Sequence, residues 1–402
     1  MRCALSHWVS PSSSLSDDTI RGAIRANGTY RLGWLEAEAK DEMDKFRFGL
    51  IGGGWRAGFY LRIARELPER FEISEIYMRD EAKGREAARI WGVPATSHWE
   101  AFLERRNFDF AVLSLPRAAT PEFLIRLAAA GIPVLTETPP AADWEGLLRL
   151  YETVGSAARI QVAEQFLFQP MHAARLAIAR SGLLGEVSHV QVSAGHGYHG
   201  ISLIRQLLGV GFEEAEIRGE QLASPLVQGP GRGGWPAEER IVSSAQTIAL
   251  LRFGERTALF DFTYDQYFSP IRHHRVLVRG VRGEVDGTEL RYLRDFRTPV
   301  ELQLRRVDAG QDGSLLGYYH EGVLAGSEWV YENPFRPGRL SDEEIAIATS
   351  LERMGRYAQG GASFYSLAEA AQDQYLSFKL EEAARSGQTV RTERQPWAAG
   401  GH

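Results

Sequence analysis

A chain of 402 residues, 44% hydrophobic and 24% charged, has the length for two or three domains and the composition of an ordinary soluble globular protein. Its formal net charge of −6 gives no electrostatic reason to expect nucleic acid, and no run reaches the roughly 20 apolar residues that span a bilayer. The single cysteine, Cys3, excludes an intramolecular disulfide and a thiolate metal cluster and fits a reducing cytoplasm, the expected location.

Residues 1–42 are polar and serine-rich, with neither periodicity nor the apolar core of a signal peptide. They are expected to form a polar extension, either loose or lying upstream of a true start at Met43, where Met43-Asp44-Lys45 leads into the first strand. Phe46 to Tyr60 is a short apolar run that breaks into Gly52-Gly53-Gly54-Trp55-Arg56-Ala57 and resumes with helical spacing. That is the shape of a dinucleotide-binding turn. Gly52 permits the tight turn, Gly54 lets the backbone approach a pyrophosphate, and Ala57 is small enough for helix to pack on strand. Trp55 and Arg56 complete the turn, and the helix that follows offers its free N–H groups to phosphate.

Strand patterns at Phe48–Ile51, Ile73–Met78, Asp109–Leu115, Pro133–Leu135 and Arg159–Ala163 alternate with amphipathic helices, one opened by Thr120 as N-cap with Pro121 behind it. The alternation predicts a doubly wound parallel sheet over 43–165, with ligands at the strand carboxyl ends. Ser114, Pro116 and Gln165 occupy such ends. After the second strand, Arg79, helped by Arg56, favours the 2′-phosphate of NADP. Asp80, expected to cap the next helix, could instead serve NAD.

From about 166 to 402 the pattern is that of an α+β domain with a mostly antiparallel sheet. Helices are expected at Met171–Arg180, closed by Gly182, and Ile201–Leu208, closed by Gly209. Strands are expected at Val187–Ser193, Ile241–Phe253, Thr257–Tyr267, Val276–Arg279 and Val300–Val307. Along the strand reaching Tyr267, residues 265 and 267 would share one face. Gln228–Glu239, rich in glycine and proline, reads as an exposed loop and a candidate lid. Ser341 with Glu344, and Ser366 with Glu369, read as capping boxes of two closing helices, the second ended by Gly387.

The segment Ala194-Gly195-His196-Gly197-Tyr198-His199 places two imidazoles and a phenol on a loop entering a helix, so His199, Tyr198 and His196 are the catalytic candidates. The plainer alternative has His199 capping the helix and His196 on the surface. His-x-x-His also suggests a metal, but neither a carboxylate nor a third histidine stands nearby in sequence, and no metal is expected.

The glycine turn, Glu137-Thr138-Pro139 after the fourth strand and the helix His199-Gly200-Ile201-Ser202-Leu203-Ile204-Arg205-Gln206-Leu207-Leu208-Gly209 together resemble the Gfo/Idh/MocA oxidoreductase superfamily. The resemblance implies an N-terminal Rossmann domain that binds NAD or NADP. It further implies a C-terminal domain whose open sheet carries the substrate site and the interface of a homo-oligomer. It also suggests that Glu137 touches the cofactor ribose or fixes the Pro139-Pro140 turn, that Thr138–Pro139 is cis, and that Gln165 lies near the nicotinamide. The chain departs from the family at the chemistry. Thr138 stands where the family has the lysine of E-K-P, and Gly195 where it has an aspartate four residues before the helix histidine. Only four lysines exist, Lys40, Lys45, Lys83 and Lys379, and a threonine supplies no charge or pKa near neutrality.

The expected function is NAD(P)-dependent hydride transfer on a sugar, cyclitol or related carbonyl/alcohol pair, His199 moving the proton with help from Tyr198. NADP is slightly favoured, and the partner is a small molecule, with no nucleic acid or membrane. The alternatives are a catalytically silent dinucleotide sensor or regulatory protein, and a glycosidase-type enzyme that uses tethered NAD transiently.

Overall fold

The computed structural model describes residues 45–399 except 312, 315 and 316. The readings for residues 1–42, Met43, Cys3 and Lys40 lie outside the described residues. Chain order begins β1 (Phe46–Ile51), α1 (Ala57–Glu66), β2 (Phe71–Tyr77), α2 (Glu81–Trp91), β3 (Ala95–Thr96), α3 (Trp99–Arg105), β4 (Phe110–Leu113), α4 (Thr120–Ala129), β5 (Val134–Thr136), α5 (Trp144–Val154) and β6 (Ile160–Val162). The strands form one parallel sheet in the order β3-β2-β1-β4-β5-β6. Phe48, Leu50 and Ile51 of β1 and all of β4 are buried, as befits strands covered on both faces by crossover helices. Strand order reverses between β1 and β4, so the ligand crevice lies beyond their carboxyl ends, at Gly52 and Ser114.

β3, only two residues long, escaped the sequence reading because alternation cannot show over two positions. Thr120 is not the N-cap of α4: Ala119 precedes the helix, and the Thr120 hydroxyl, inside its first turn, donates back to Pro116 O at 3.3 Å. Asp80 does cap α2, accepting from Lys83 N at 3.1 Å.

The second part contains α6 (Pro170–Arg180), β7 (Val187–Ser193), α7 (Gly197–Leu208), β8 (Glu216–Val227), β9 (Ile241–Phe253), β10 (Arg256–Thr263), β11 (Arg275–Gly280), β12 (Gly283–Asp286), β13 (Glu289–Leu293) and β14 (Pro299–Ala309). It ends with β15 (Tyr319–Ala325), β16 (Glu328–Glu332), α8 (Asp342–Ala358), α9 (Leu367–Ser386) and β17 (Val390–Arg391). Its sheet runs β16-β15-β14-β13-β12-β11-β7-β10-β9-β8-β17, with β7 and β10 as its parallel pair. β8 was missed because most of its residues are exposed, and without a buried face the period of two disappears from the sequence.

Two elements differ from expectation near the site. The strand expected to reach Tyr267 stops at Thr263, whose side chain caps a 3-10 turn over Tyr264–Tyr267 in a box with Gln266, so the alternation assumed for residues 265 and 267 does not apply. α7 starts at Gly197 rather than Ile201, which puts Tyr198 and His199 in its first turn. The Ser341–Glu344 box at α8 is complete. At α9 only half forms: Ser366 accepts from Glu369 N at 3.2 Å, while the Glu369 carboxylate turns to Arg205 at 2.8 Å.

α8 returns to pack on the parallel sheet. Its Ile345, Ile347, Ala348, Leu351 and Met354 share a buried cluster with Phe46, Phe48 and Leu50 of β1. Its acidic residues pair with the opposite surface, Glu343 with Arg56 at 2.7 Å and Glu344 with Arg62 at 2.7 Å. No helix of the described residues is long and apolar enough to cross a membrane. Gly355 makes the fit tight, since a Cβ there would lie 2.3 Å from the Phe46 ring. Gly355→Val is therefore expected to lose about 1–3 kcal/mol or more of stability, read as a lower urea midpoint, because a well-packed interface cannot absorb the added volume.

Candidate active site at the strand ends

The glycine turn is built around one left-handed residue. Gly52 has φ +113°, its N–H donates to Tyr77 O at 3.0 Å, and a Cβ there would stand 2.1 Å from Ser114 O. Only glycine fits where β1 and β4 end this closely. A Cβ on Gly53 would strike the Met78 side chain at 2.2 Å, whereas one on Gly54 would meet no heavy atom within 4 Å. Open space in front of Gly54, at the N-terminus of α1, is the cradle that a dinucleotide pyrophosphate requires. Ala57 is buried beneath it and Trp55 is 53% exposed.

Arg56 binds Glu343 at 2.7 Å and lies 3.7 Å from Glu137. Glu137 also accepts from the Tyr60 hydroxyl at 2.6 Å. Burial raises the Glu137 carboxyl, and the Arg56 charge opposes that rise. Glu137 is thus held by the glycine-turn helix, next to the cis Thr138–Pro139 bond. Ser114 and Gln165 are buried at their strand ends, Thr138 is half-buried, and Pro116 and Arg79 are exposed. Arg79 makes no hydrogen bond or ion pair with the described residues, whereas Asp80 is engaged by Lys83 N. The described lysines are occupied elsewhere: Lys45 with Glu72 at 2.9 Å, Lys83 beside Asp80 at 3.8 Å and Lys379 with Glu382 at 2.8 Å.

The centre of the site is a carboxyl–imidazole pair. Glu164, two residues after β6 and 0% exposed, places Oε2 2.7 Å and Oε1 3.0 Å from His199 Nδ1, and His199 itself is 5% exposed. Glu164 Oε1 also accepts from Phe166 N at 3.2 Å. The Phe166 ring stacks on the imidazole at 4.3 Å between centroids. Burial pushes the Glu164 carboxyl up to about 8. Burial, then the charges of Arg56 and Arg117, hold the His199 imidazole down at about 3. Charge is disfavoured on both members in this dry site, so around neutrality the pair is uncharged overall and holds one proton between the two groups.

His196, at the N-cap position of α7, sits beside His199 with ring centroids 4.7 Å apart. The phenol that meets it is Tyr267: its oxygen accepts from His196 N at 3.0 Å and lies 2.7 Å from Nδ1. Tyr264 stacks on the other side at 5.7 Å. Burial, then His199 and Arg117, keep His196 neutral, at about 3. Tyr198 points elsewhere. It is 3% exposed within the core, its hydroxyl has no hydrogen-bond partner among the described residues, and its charged neighbours include Glu164, Asp373 and Arg205.

Sequence reasoning missed Glu164 and Arg117, and placed Tyr267 on a strand face where the structure has a 3-10 turn. Glu164 carried a visible signal, a carboxylate directly before the strand-end Gln165, whereas its partner is 35 residues away. Arg117 follows Leu115-Pro116 at the end of β4 and forms no hydrogen bond or ion pair with the described residues, yet its charge reaches His196, His199 and Tyr264. α7 is fixed behind the site by Arg205, which donates to Asp373 at 2.7 Å and to Gly211 O at 2.9 and 2.6 Å.

Comparison with known proteins agrees with this architecture. A dTDP-3,4-didehydro-2,6-dideoxy-alpha-D-glucose 3-reductase of Streptomyces violaceoruber is 28% identical over 261 residues, 55% of this chain and 72% of that protein. An uncharacterized oxidoreductase of Rhizobium meliloti is 31% identical over 151 residues, 37% of this chain and 45% of its own length. Among solved structures, levoglucosan dehydrogenase in complex with NADH and levoglucosan superposes with a TM-score of 0.63 at 17% identity, over 87% of this chain and 99% of that one. An Agrobacterium radiobacter oxidoreductase in complex with NAD+, L-tartaric acid and magnesium gives 0.61 at 17% identity, over 86% and 98%. At this identity the likeness of the solved structures establishes the fold alone. Residues 46–165 match the Gfo/Idh/MocA oxidoreductase family, NAD-binding Rossmann fold.

Proposed function

We propose that the protein is an NAD(P)-dependent oxidoreductase that interconverts a carbonyl and an alcohol on a sugar, cyclitol or related molecule. The observation that carries this reading is the buried Glu164–His199 pair beside the dinucleotide crevice. Burying a carboxyl and an imidazole together is costly, and such perturbed pairs concentrate where protons are moved. A silent sensor would have no need of one. The sugar class is supported by the names of the sugar reductase and dehydrogenase to which the chain is similar.

Gly52, Gly54 and the N-terminus of α1 would hold the pyrophosphate, Gln165 the carboxamide end, and Arg79 a 2′-phosphate. When bound, the nicotinamide supplies or accepts the hydride at the substrate carbon. The protein's task is the proton on the neighbouring oxygen. Because Glu164 Oε1 accepts from Phe166 N, Oε2 is the oxygen that shares a proton with His199 Nδ1. With that proton on Glu164, the imidazole keeps its other proton on Nε2. Nε2–H is then donated to the alkoxide oxygen as Glu164 passes its proton to Nδ1. The pair ends as a carboxylate and a neutral imidazole, so no isolated imidazolium forms in the dry site. Arg117, which has no ion pair with the described residues and whose charge reaches His199, supplies the positive charge that Thr138 cannot, favouring the developing oxyanion. His196, tied to Tyr267, is placed to position the substrate, and Tyr198 serves packing in this reading.

The direction of the Glu164 shift fixes the pH dependence. Its carboxyl is raised, so the shared proton is present below about 8 and lost above it. Carbonyl reduction is expected to be level at neutral pH and to fall above about 8, and alcohol oxidation to rise through the same range. Glu164→Gln should abolish that inflection and lower kcat by about 10²–10⁴, and His199→Ala should lower it by a similar factor. An unchanged pH profile in Glu164→Gln would remove the pair from the mechanism.

Asp80 is engaged as a cap and Arg79 is free, which supports NADP over NAD. Fluorescence titration is expected to give tighter NADPH than NADH, with Arg79→Ala losing about ten-fold of that preference. Tighter NADH binding by the unaltered protein overturns the assignment of Arg79.

A further inference from the structure

The loop expected to be a lid reaches the phosphate-binding turn. Residues 228–240 join β8 to β9. Within them Gly231 and Gly234 exchange two backbone hydrogen bonds of 3.0 Å, and Gly234 has φ +99°. Arg232 and Gly233 are therefore the tip of a tight turn. The Arg232 guanidinium carbon lies 4.2 Å from the centroid of the Trp55 ring, while that of Arg56 lies 4.7 Å from the same ring. Arg56 is balanced by Glu343 and Glu137. Arg232 has no ion pair or hydrogen bond among the described residues, so its charge stands uncompensated at the residue after Gly54.

A guanidinium lying on an indole is held by its face, and the N–H donors around its edge remain free. Those donors suit the tetrahedral oxygens of a phosphate, which accept in pairs. The open space before Gly54 and the N-terminus of α1 already mark where such an anion belongs. We infer that Arg232 is a cofactor-binding residue, delivered by the substrate-domain hairpin onto Trp55 to grip the dinucleotide pyrophosphate. The inference rests on the cofactor assignment above and adds a ligand from the other half of the chain. Stacking on Trp55 fixes the side chain before the cofactor arrives, so less rotamer freedom is lost on binding.

The test uses the full chain with ADP-ribose, which carries the pyrophosphate without nicotinamide, and adenosine, which carries no phosphate, alongside the reduced dinucleotide. Arg232→Ala is expected to raise Kd for the dinucleotide and for ADP-ribose by about ten-fold and to weaken its dependence on salt, leaving adenosine unchanged. Arg232→Lys should recover only part of the loss, because an ammonium lacks the planar fork. Trp55→Leu should raise Kd in the same direction. Arg232 is an exposed tip residue, and an unchanged melting temperature shows that each variant is folded. Unaltered dinucleotide affinity in Arg232→Ala, beside normal binding by the parent protein, overturns the grip and leaves the oxidoreductase reading standing. Equal losses for adenosine and ADP-ribose also overturn it, since they would show a steric and not a phosphate effect. Failure of the parent protein to bind any dinucleotide overturns both.

Discussion

The contact between Glu164 and His199 is the constraint around which the site is arranged. Glu164 lies two residues beyond the last strand of the parallel sheet, and His199 lies in the first turn of α7. Their 2.7 Å approach ties the parallel-sheet half of the chain to the half that carries α7. A buried carboxyl without a partner would cost several kcal/mol, so neither group can leave the contact freely. The surroundings are shaped to keep it: Phe166 covers the ring, Arg205 with Asp373 anchors α7 from behind, and α8 closes over β1 from the other side.

Gly195 belongs to the same arrangement. A Cβ there would lie 2.9 Å from His199 Cβ and 3.1 Å from the Phe166 ring, so the aspartate that the family resemblance leads one to expect has no room. The carboxylate partner of the histidine comes instead from Glu164, across the domain junction. Two departures that read in sequence as losses, Thr138 and Gly195, are therefore of different kinds. At residue 195 a side chain has no room while Glu164 meets the histidine from another segment, and at residue 138 a threonine stands where the resemblance leads one to expect a lysine.

The parts that were legible in the sequence are those set by local physics. Parallel strands buried on both faces leave apolar runs, a left-handed residue between strand and helix leaves a glycine, and the α8 cap leaves a serine three residues before a glutamate. His199 was visible because it stands within a motif. Glu164 and Arg117 were not, and Tyr267 was read on a strand face without its partner, because contacts between distant segments leave no local pattern: Glu164 meets His199 across 35 residues and Tyr267 meets His196 across 71. Tyr198 shows the converse error. Adjacency in sequence suggested a partner for His199, but successive helical positions point about 100° apart, and the phenol turns into the core. Strands with little buried face, β8 foremost, were silent for the same reason that a register is weakly specified when neither side is apolar.

The absence of lysine from the site separates two tasks that one lysine could combine. In the proposed mechanism the arginines would hold or polarise anions, a task that needs a fixed charge and no proton exchange. The Glu164–His199 pair does the reverse: it carries a mobile proton while remaining uncharged overall near neutrality, and so adds little to the electrostatic field at the substrate. Arg117 and Arg232 are exposed, where water can solvate their charge, whereas a lasting charge in the dry interior beside Glu164 and His199 would be most expensive. Under the proposed mechanism this division leaves a threonine at residue 138 compatible with both tasks.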